Sequence, residues 1–154
     1  MDTVTYPHKD VQALIREHFV PVQFNVLEHP EVKRQFNSGW TPTIIVQDAE
    51  GREHRRSHGY LDPRRFVAEM ALAWLMDAID RQDWPPAKAR ADEARRLTAG
   101  DLAREPEALY WSAVATYMTS ADQTGLRDGW ELLMQRFPDS DWSKKTEFIR
   151  HLRR

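Results

Sequence analysis

Cysteine is absent from the 154 residues. Without a thiol this chain has no dithiol exchange of its own, no thiolate zinc site and no disulfide framework. No apolar run reaches the length that spans a bilayer, and no charged stretch followed by an apolar one opens the chain as a secretory signal would. The expected setting is therefore cytoplasmic, with no membrane partner. Excess positive charge is missing as well: 22 Lys and Arg stand against 24 Asp and Glu, a formal charge of −2. That balance argues against a nucleic-acid partner, because a general nucleic-acid binder carries a dominant basic face.

Recognisable catalytic and metal-binding patterns are missing too. His54 and His58 lie four apart on an expected strand, which puts them on one face but about 13 Å apart, too far to share a metal. They read as surface histidines. His8, His18, His29 and His151 show no ligand spacing, so no metal site is expected. Ser57, Ser112 and Ser140 sit in no Gly-x-Ser-x-Gly context, and Asp139 and Asp141 are explained by a helix cap. No catalytic residue and no cofactor are expected, and enzyme activity is not the favoured reading of this cysteine-free chain.

What is present is material for a core: 41% hydrophobic residues, six Trp, and 30% charged residues for a solvated surface. The centre of the pattern is Trp40-Thr41-Pro42-Thr43-Ile44-Ile45-Val46-Gln47-Asp48, a turn ending in proline that opens into a strand. Consecutive β-branched residues suit a strand buried on both faces, and a proline at a strand's first position costs no ladder hydrogen bond. Asp48-Ala49-Glu50-Gly51 reads as a tight turn with Gly51 at positive φ, and Arg52 to Tyr60 as the antiparallel return.

Around this hairpin the periodicity predicts mostly helix. Val11, Leu14 and Ile15 mark a short amphipathic helix over 8–18, and 28–36 reads as a second with Pro30 in its first turn. Between them Phe19 to Val26 alternates as a strand. Met1 to Tyr6 is either a short strand or an ordered lead-in. Leu61-Asp62-Pro63 is a helix start with Asp62 as N-cap, and the helix that follows is apolar nearly all round, so both its sides must be covered. Further helices are expected over 87–97, 104–119 and 123–137. A last one is capped at 138–141 and packs through Trp142, Phe148, Ile149 and Leu152. The tryptophans at 84, 111, 130 and 142 read as core.

The order Phe19 to Val26, short helix, Thr41-Pro42-Thr43, strand, Gly51, strand, Gly59-Tyr60, helix resembles the later part of a thioredoxin-like domain. The resemblance implies a cis Thr41-Pro42 bond and a backbone beside it that pairs with extended peptide. It also implies that Met1 falls just after the family's Cys-x-x-Cys, so that the central strand of the family's sheet is missing. The flanking strands at Phe19 and Thr43 would then carry unpaired backbone groups, each costing about 1–3 kcal/mol if buried. Three repairs offer themselves: Asp2 to Tyr6 folds in, the flanking strands pair directly, or a second chain donates a strand. A fourth possibility is an internal start within a longer protein. Ala108 through Tyr110, Ala113, Tyr117, Trp130, Phe137 and Pro138 is loosely similar to a tetratricopeptide repeat, with Gly129 near the small mid-helix position.

The expected fold is thus an α/β thioredoxin-like domain over 1–80, truncated to three or so strands. An all-α helical-hairpin extension over 81–154 follows, packed on the 62–80 helix. Two candidate sites stand out. Trp40, Thr41, Pro42 and Thr43 form the peptide-binding turn that the resemblance implies, with Trp40 either exposed beside the proline or packed under the 28–36 helix. Arg52, Arg55, Arg56, Arg64 and Arg65 crowd the second hairpin strand and the next helix start, as a solvated face or as a patch for an anion or acidic partner. Arg150, His151, Arg153 and Arg154 crowd the chain's end in the same way. The expected function is a non-catalytic protein- or peptide-binding module. The alternatives are a truncated thiol-disulfide oxidoreductase whose redox motif lies upstream of Met1, and a structural subunit that forms a homodimer through unpaired sheet edges.

Overall fold

The computed structural model describes residues 1–151. Leu152, Arg153 and Arg154, expected in the last helix and the terminal basic cluster, lie outside the described residues. The chain divides into two compact units, Met1–Met70 and Ala71–Arg154.

In the first unit, helices α1 (Lys9–His18) and α2 (Pro30–Gln35) precede strands β1 (Thr43–Gln47) and β2 (Glu53–His58), and α3 (Pro63–Asp80) begins after them. His8 accepts at Nδ1 from the Asp10 N–H, which caps α1. Asp62 caps α3 as expected, accepting from the Arg65 N–H at 2.9 Å. Val11, Leu61, Phe66 and Met70 are buried together, with Tyr6, Phe19, Ile44 and Val46 packed on them. Thr5, fully buried, donates its hydroxyl to the Leu61 carbonyl at 2.6 Å. That bond ties the start of the chain to the entry of α3.

β1 and β2 pair antiparallel with Ile45 opposite Arg56. Gly51, at φ +80°, turns the hairpin, and the Thr41–Pro42 peptide is cis. Asp48 organises the same turn: its carboxylate accepts from the backbone N–H of Glu50 (3.1 Å) and Arg52 (2.8 Å).

Two expectations are corrected. The stretch from Phe19 to Val26 is not a strand, and the sheet of the described residues has two strands. Its alternating pattern is real, but no strand of the described residues pairs with it, and an isolated strand has no ladder to hold it. Of the two forms open to Met1 to Tyr6 it takes the ordered lead-in, a turn with the N–H groups of Val4, Thr5 and Tyr6 all directed at the Met1 carbonyl. Of the three repairs, neither one that draws on this chain alone takes place among the described residues.

The second unit is helical. It contains the rest of α3, then α4 (Trp84–Thr98), α5 (Glu105–Ser120), α6 (Gln123–Arg136), the short α7 (Asp141–Lys144) and a 3-10 turn (Glu147–His151). Leu72, Leu75, Ala78 and Ile79 of α3 bury against Ala87, Ala91 and Ala94 of α4 and Ala108 and Ala115 of α5. The small alanines of α4 and α5 leave room for the larger Leu72, Leu75 and Ile79 of α3. A second core joins Leu109, Ala113, Trp130, Leu133, Met134 and Ile149. Tyr110 stacks on Trp130 at 5.4 Å and meets Trp142 at 5.1 Å, so the tryptophans at 130 and 142 are core, as is Trp84 at the edge of the first cluster. Ser140 caps α7 through the Ser143 N–H at 3.1 Å.

Candidate functional site

The turn before β1 is held from within. Thr43 donates its hydroxyl to the Trp40 carbonyl at 2.5 Å, and the same oxygen lies 3.2 Å from His58 Nδ1. Ser38 donates to that carbonyl as well. These bonds fix the Trp40 backbone while the residue stays 66% exposed. Of the two placements expected for Trp40, the structure has the open one. Thr41 is exposed, and Pro42 and Thr43 are half-buried.

β1 has one neighbour, β2, so its other edge is open among the described residues. The direction of each peptide follows from the Gly59 N–H donating to the Pro42 carbonyl at 2.8 Å. With Thr43 opposite His58, that bond makes Thr43–His58 a non-hydrogen-bonded pair. The N–H and C=O groups of Ile44 and Val46 then face β2, and those of Thr43, Ile45 and Gln47 face the open edge. Three donors and three acceptors line up there, beside the exposed Trp40.

Arg52, Arg55, Arg56 and Arg65 are each engaged by a nearby carboxylate. Arg55 pairs with the nearly buried Glu69. Arg56 forks onto Glu53 through Nε at 2.8 Å and Nη2 at 2.5 Å, and its Nη1 donates to the Phe36 carbonyl at 2.9 Å. Arg52 lies 3.6 Å from Asp48, and Arg65 lies 3.5 Å from Asp62. Arg64 and Arg65 sit on exposed positions opening α3. The Arg56 hydrogen bond and charge hold the Glu53 carboxyl below its ordinary range and raise Arg56 in turn. A phosphate or acidic peptide would have to displace these carboxylates to use the side chains.

His54 is a correction to the reading of surface histidines. Its side chain is 1% exposed, with Nε2 at 3.3 Å from the Asp48 carboxylate. Burial alone would raise Asp48; hydrogen bonds from the Arg52 N–H and the His54 ring, with the charges of Arg52 and His54, overcome this and lower it. The sequence signal for this pair is an aspartate opening a turn, the residue type that bonds its own backbone two residues on. His58 remains exposed.

In the second unit a groove of about 340 Å³ is lined by Asp92, Arg95, Arg96, Ala99, Glu105, Leu109 and Arg136. Its charges are largely matched: Arg136 meets Glu105 at 2.5 Å, and Arg96 meets Glu93 at 2.5 Å.

Residues 1–74 match the family model described as a thioredoxin-like domain. They form a thioredoxin-like domain. The match takes in the hairpin, the Trp40 to Thr43 turn and the first turns of α3. No curated protein and no solved structure matches the chain. The thioredoxin-like domain is followed by a helical region, and none of its described helices is long and apolar enough to cross a membrane.

Proposed function

We propose that this chain is a non-catalytic thioredoxin-like binding module that takes an extended protein or peptide segment along the open edge of β1. The observation that carries the reading is the row of unpaired N–H and C=O groups on Thr43, Ile45 and Gln47, led by Trp40, which is exposed and has its backbone fixed. Strand addition needs no side-chain chemistry: main-chain bonds supply affinity, and flanking side chains supply selectivity. Trp40 is suited to that second part, because a large rigid ring gives contact area at small entropic cost. A chain with no cysteine has no thiol with which to process what it binds.

The test is fluorescence anisotropy of a labelled Lys-Thr-Val-Thr-Val-Thr-Lys peptide, an extended sequence foreign to this chain. Saturable binding is expected, weakened on the order of tenfold, about 1.4 kcal/mol, by Trp40→Ala. Absence of binding by a folded, monomeric chain, or binding indifferent to Trp40→Ala, contradicts the reading.

A further inference from the structure

We propose that the strand accepted by β1 is the segment Val20–Phe24 of a second copy of this chain, exchanged reciprocally to give a twofold dimer. The inference rests on reading β1 as a strand-accepting edge, and adds the identity of the strand.

Each chain carries both halves of the pairing and satisfies neither. Residues 20–24 lie outside any helix, strand or turn and make no hydrogen bond among the described residues. Val20 is 92% exposed, Val22 71% and Phe24 48%, so an alternating apolar row stands in water. Such a row, beside free backbone groups, is the ordinary template for strand pairing. No other strand of the described residues pairs with the β1 edge, and residues 1–6 are spent on a turn about the Met1 carbonyl.

The two segments match in length and in parity. β1 has five residues and presents the peptides of Thr43, Ile45 and Gln47. A five-residue strand over 20–24 presents Val20, Val22 and Phe24 on one edge and Pro21 and Gln23 on the other. Only the first edge has all its donors, because Pro21 lacks an N–H. Antiparallel pairing through that edge brings the apolar row onto the same face as Ile45, since residues directly opposite one another share a face. Reciprocal exchange about a twofold axis forms both pairings at once and leaves no open repeat.

Sedimentation equilibrium of the full chain up to about 100 µM, well above a micromolar dissociation constant, tests this. The mass should rise from 18.1 kDa toward twice that value. Val22→Pro removes a donor from the pairing edge and should leave a monomer; Gln23→Pro changes the opposite edge and should dimerise like the parent. Neither position is hydrogen-bonded within one chain, and circular dichroism checks that both variants fold. A synthetic Phe19–Val26 peptide should split the parent dimer, and the same peptide N-methylated at Val22 should not, which requires no folding variant. A monomer at every concentration overturns the proposal, as does a dimer that ignores Val22→Pro or responds equally to both prolines. If the parent stays monomeric yet the foreign Lys-Thr-Val-Thr-Val-Thr-Lys peptide binds, only the dimer fails. If it binds nothing, the reading of the edge fails too.

Discussion

The Gly59 N–H meets the Pro42 carbonyl at 2.8 Å, and this bond decides which way every peptide of β1 faces. It closes the wide end of the hairpin and leaves alternate residues of β1 turned away from β2. The free edge is therefore a consequence of register, and it has a directly observable signature. In a dilute sample the amides of Ile44 and Val46 should be protected from hydrogen exchange on the order of tenfold or more over those of Thr43, Ile45 and Gln47. Raising the concentration should protect the second set as dimers form. Equal protection of both sets in the dilute sample would contradict the register.

Gly129 tests the helical region. A Cβ placed there would come within 2.6 Å of the Ala113 Cβ, closer than two carbons can stand, so α5 and α6 pack backbone against side chain at this point. Gly129→Ala should destabilise the chain by about 1–3 kcal/mol despite alanine's better helix propensity. A urea titration reads it as a lower midpoint at unchanged slope. A gain in stability would mean that the helices are farther apart than this.

Much of this was legible in the sequence, and the exceptions have physical reasons. Helix starts carried explicit signals, such as Asp62-Pro63 and Ser140, and the proline-led hairpin was written in Thr43 to Gly51. The stretch from Phe19 to Val26 misled because alternation reports which residues suit a strand, and says nothing of whether a partner strand is present. That Arg55 and Arg56 are engaged was only partly legible: Glu53 lies three residues from Arg56, but Glu69 lies 14 residues from Arg55 and the Phe36 carbonyl 20 residues from Arg56. The open edge was foreseen only through the family resemblance, and which of its peptides face outward depends on a register no local pattern contains.

The arginines separate into structural and dispensable members. Arg55 pairs with Glu69, whose side chain is 9% exposed, so Arg55→Ala takes a cationic partner from a buried carboxylate and should cost about 3–5 kcal/mol. Arg65, 62% exposed beside Asp62, should tolerate alanine within about 0.5 kcal/mol. Denaturant midpoints of the two variants check this. Similar losses for both would mean that the pairs are not as distinct as their burial.

Asp77 sets part of the acid stability. Burial alone would raise its carboxyl, but it accepts from Arg90 at 2.7 Å and Arg81 at 2.6 Å, and these bonds and charges hold it below its ordinary value of 3.8. A carboxyl depressed in the folded state stabilises it above the unfolded value, and that contribution is lost as pH falls through the folded one. Asp77→Asn should therefore cost about 1–3 kcal/mol at pH 7 and flatten the fall in stability between about pH 5 and pH 2. Glu53 is depressed in the same direction, so some slope should remain. An unchanged acid limb in Asp77→Asn would show that the arginine contacts contribute nothing.

The most direct measurement of the central claim is the amide spectrum of the ¹⁵N-labelled Val22→Pro chain titrated with the Lys-Thr-Val-Thr-Val-Thr-Lys peptide. The account predicts that the amides of Thr43, Ile45 and Gln47 shift and gain exchange protection while those of Ile44 and Val46, already bonded to β2, change least, and that the Trp40 indole N–H moves with the first set. Saturable shifts centred elsewhere, on the paired arginines or on the groove beside Arg136, or no shifts at all from a folded chain, would contradict it.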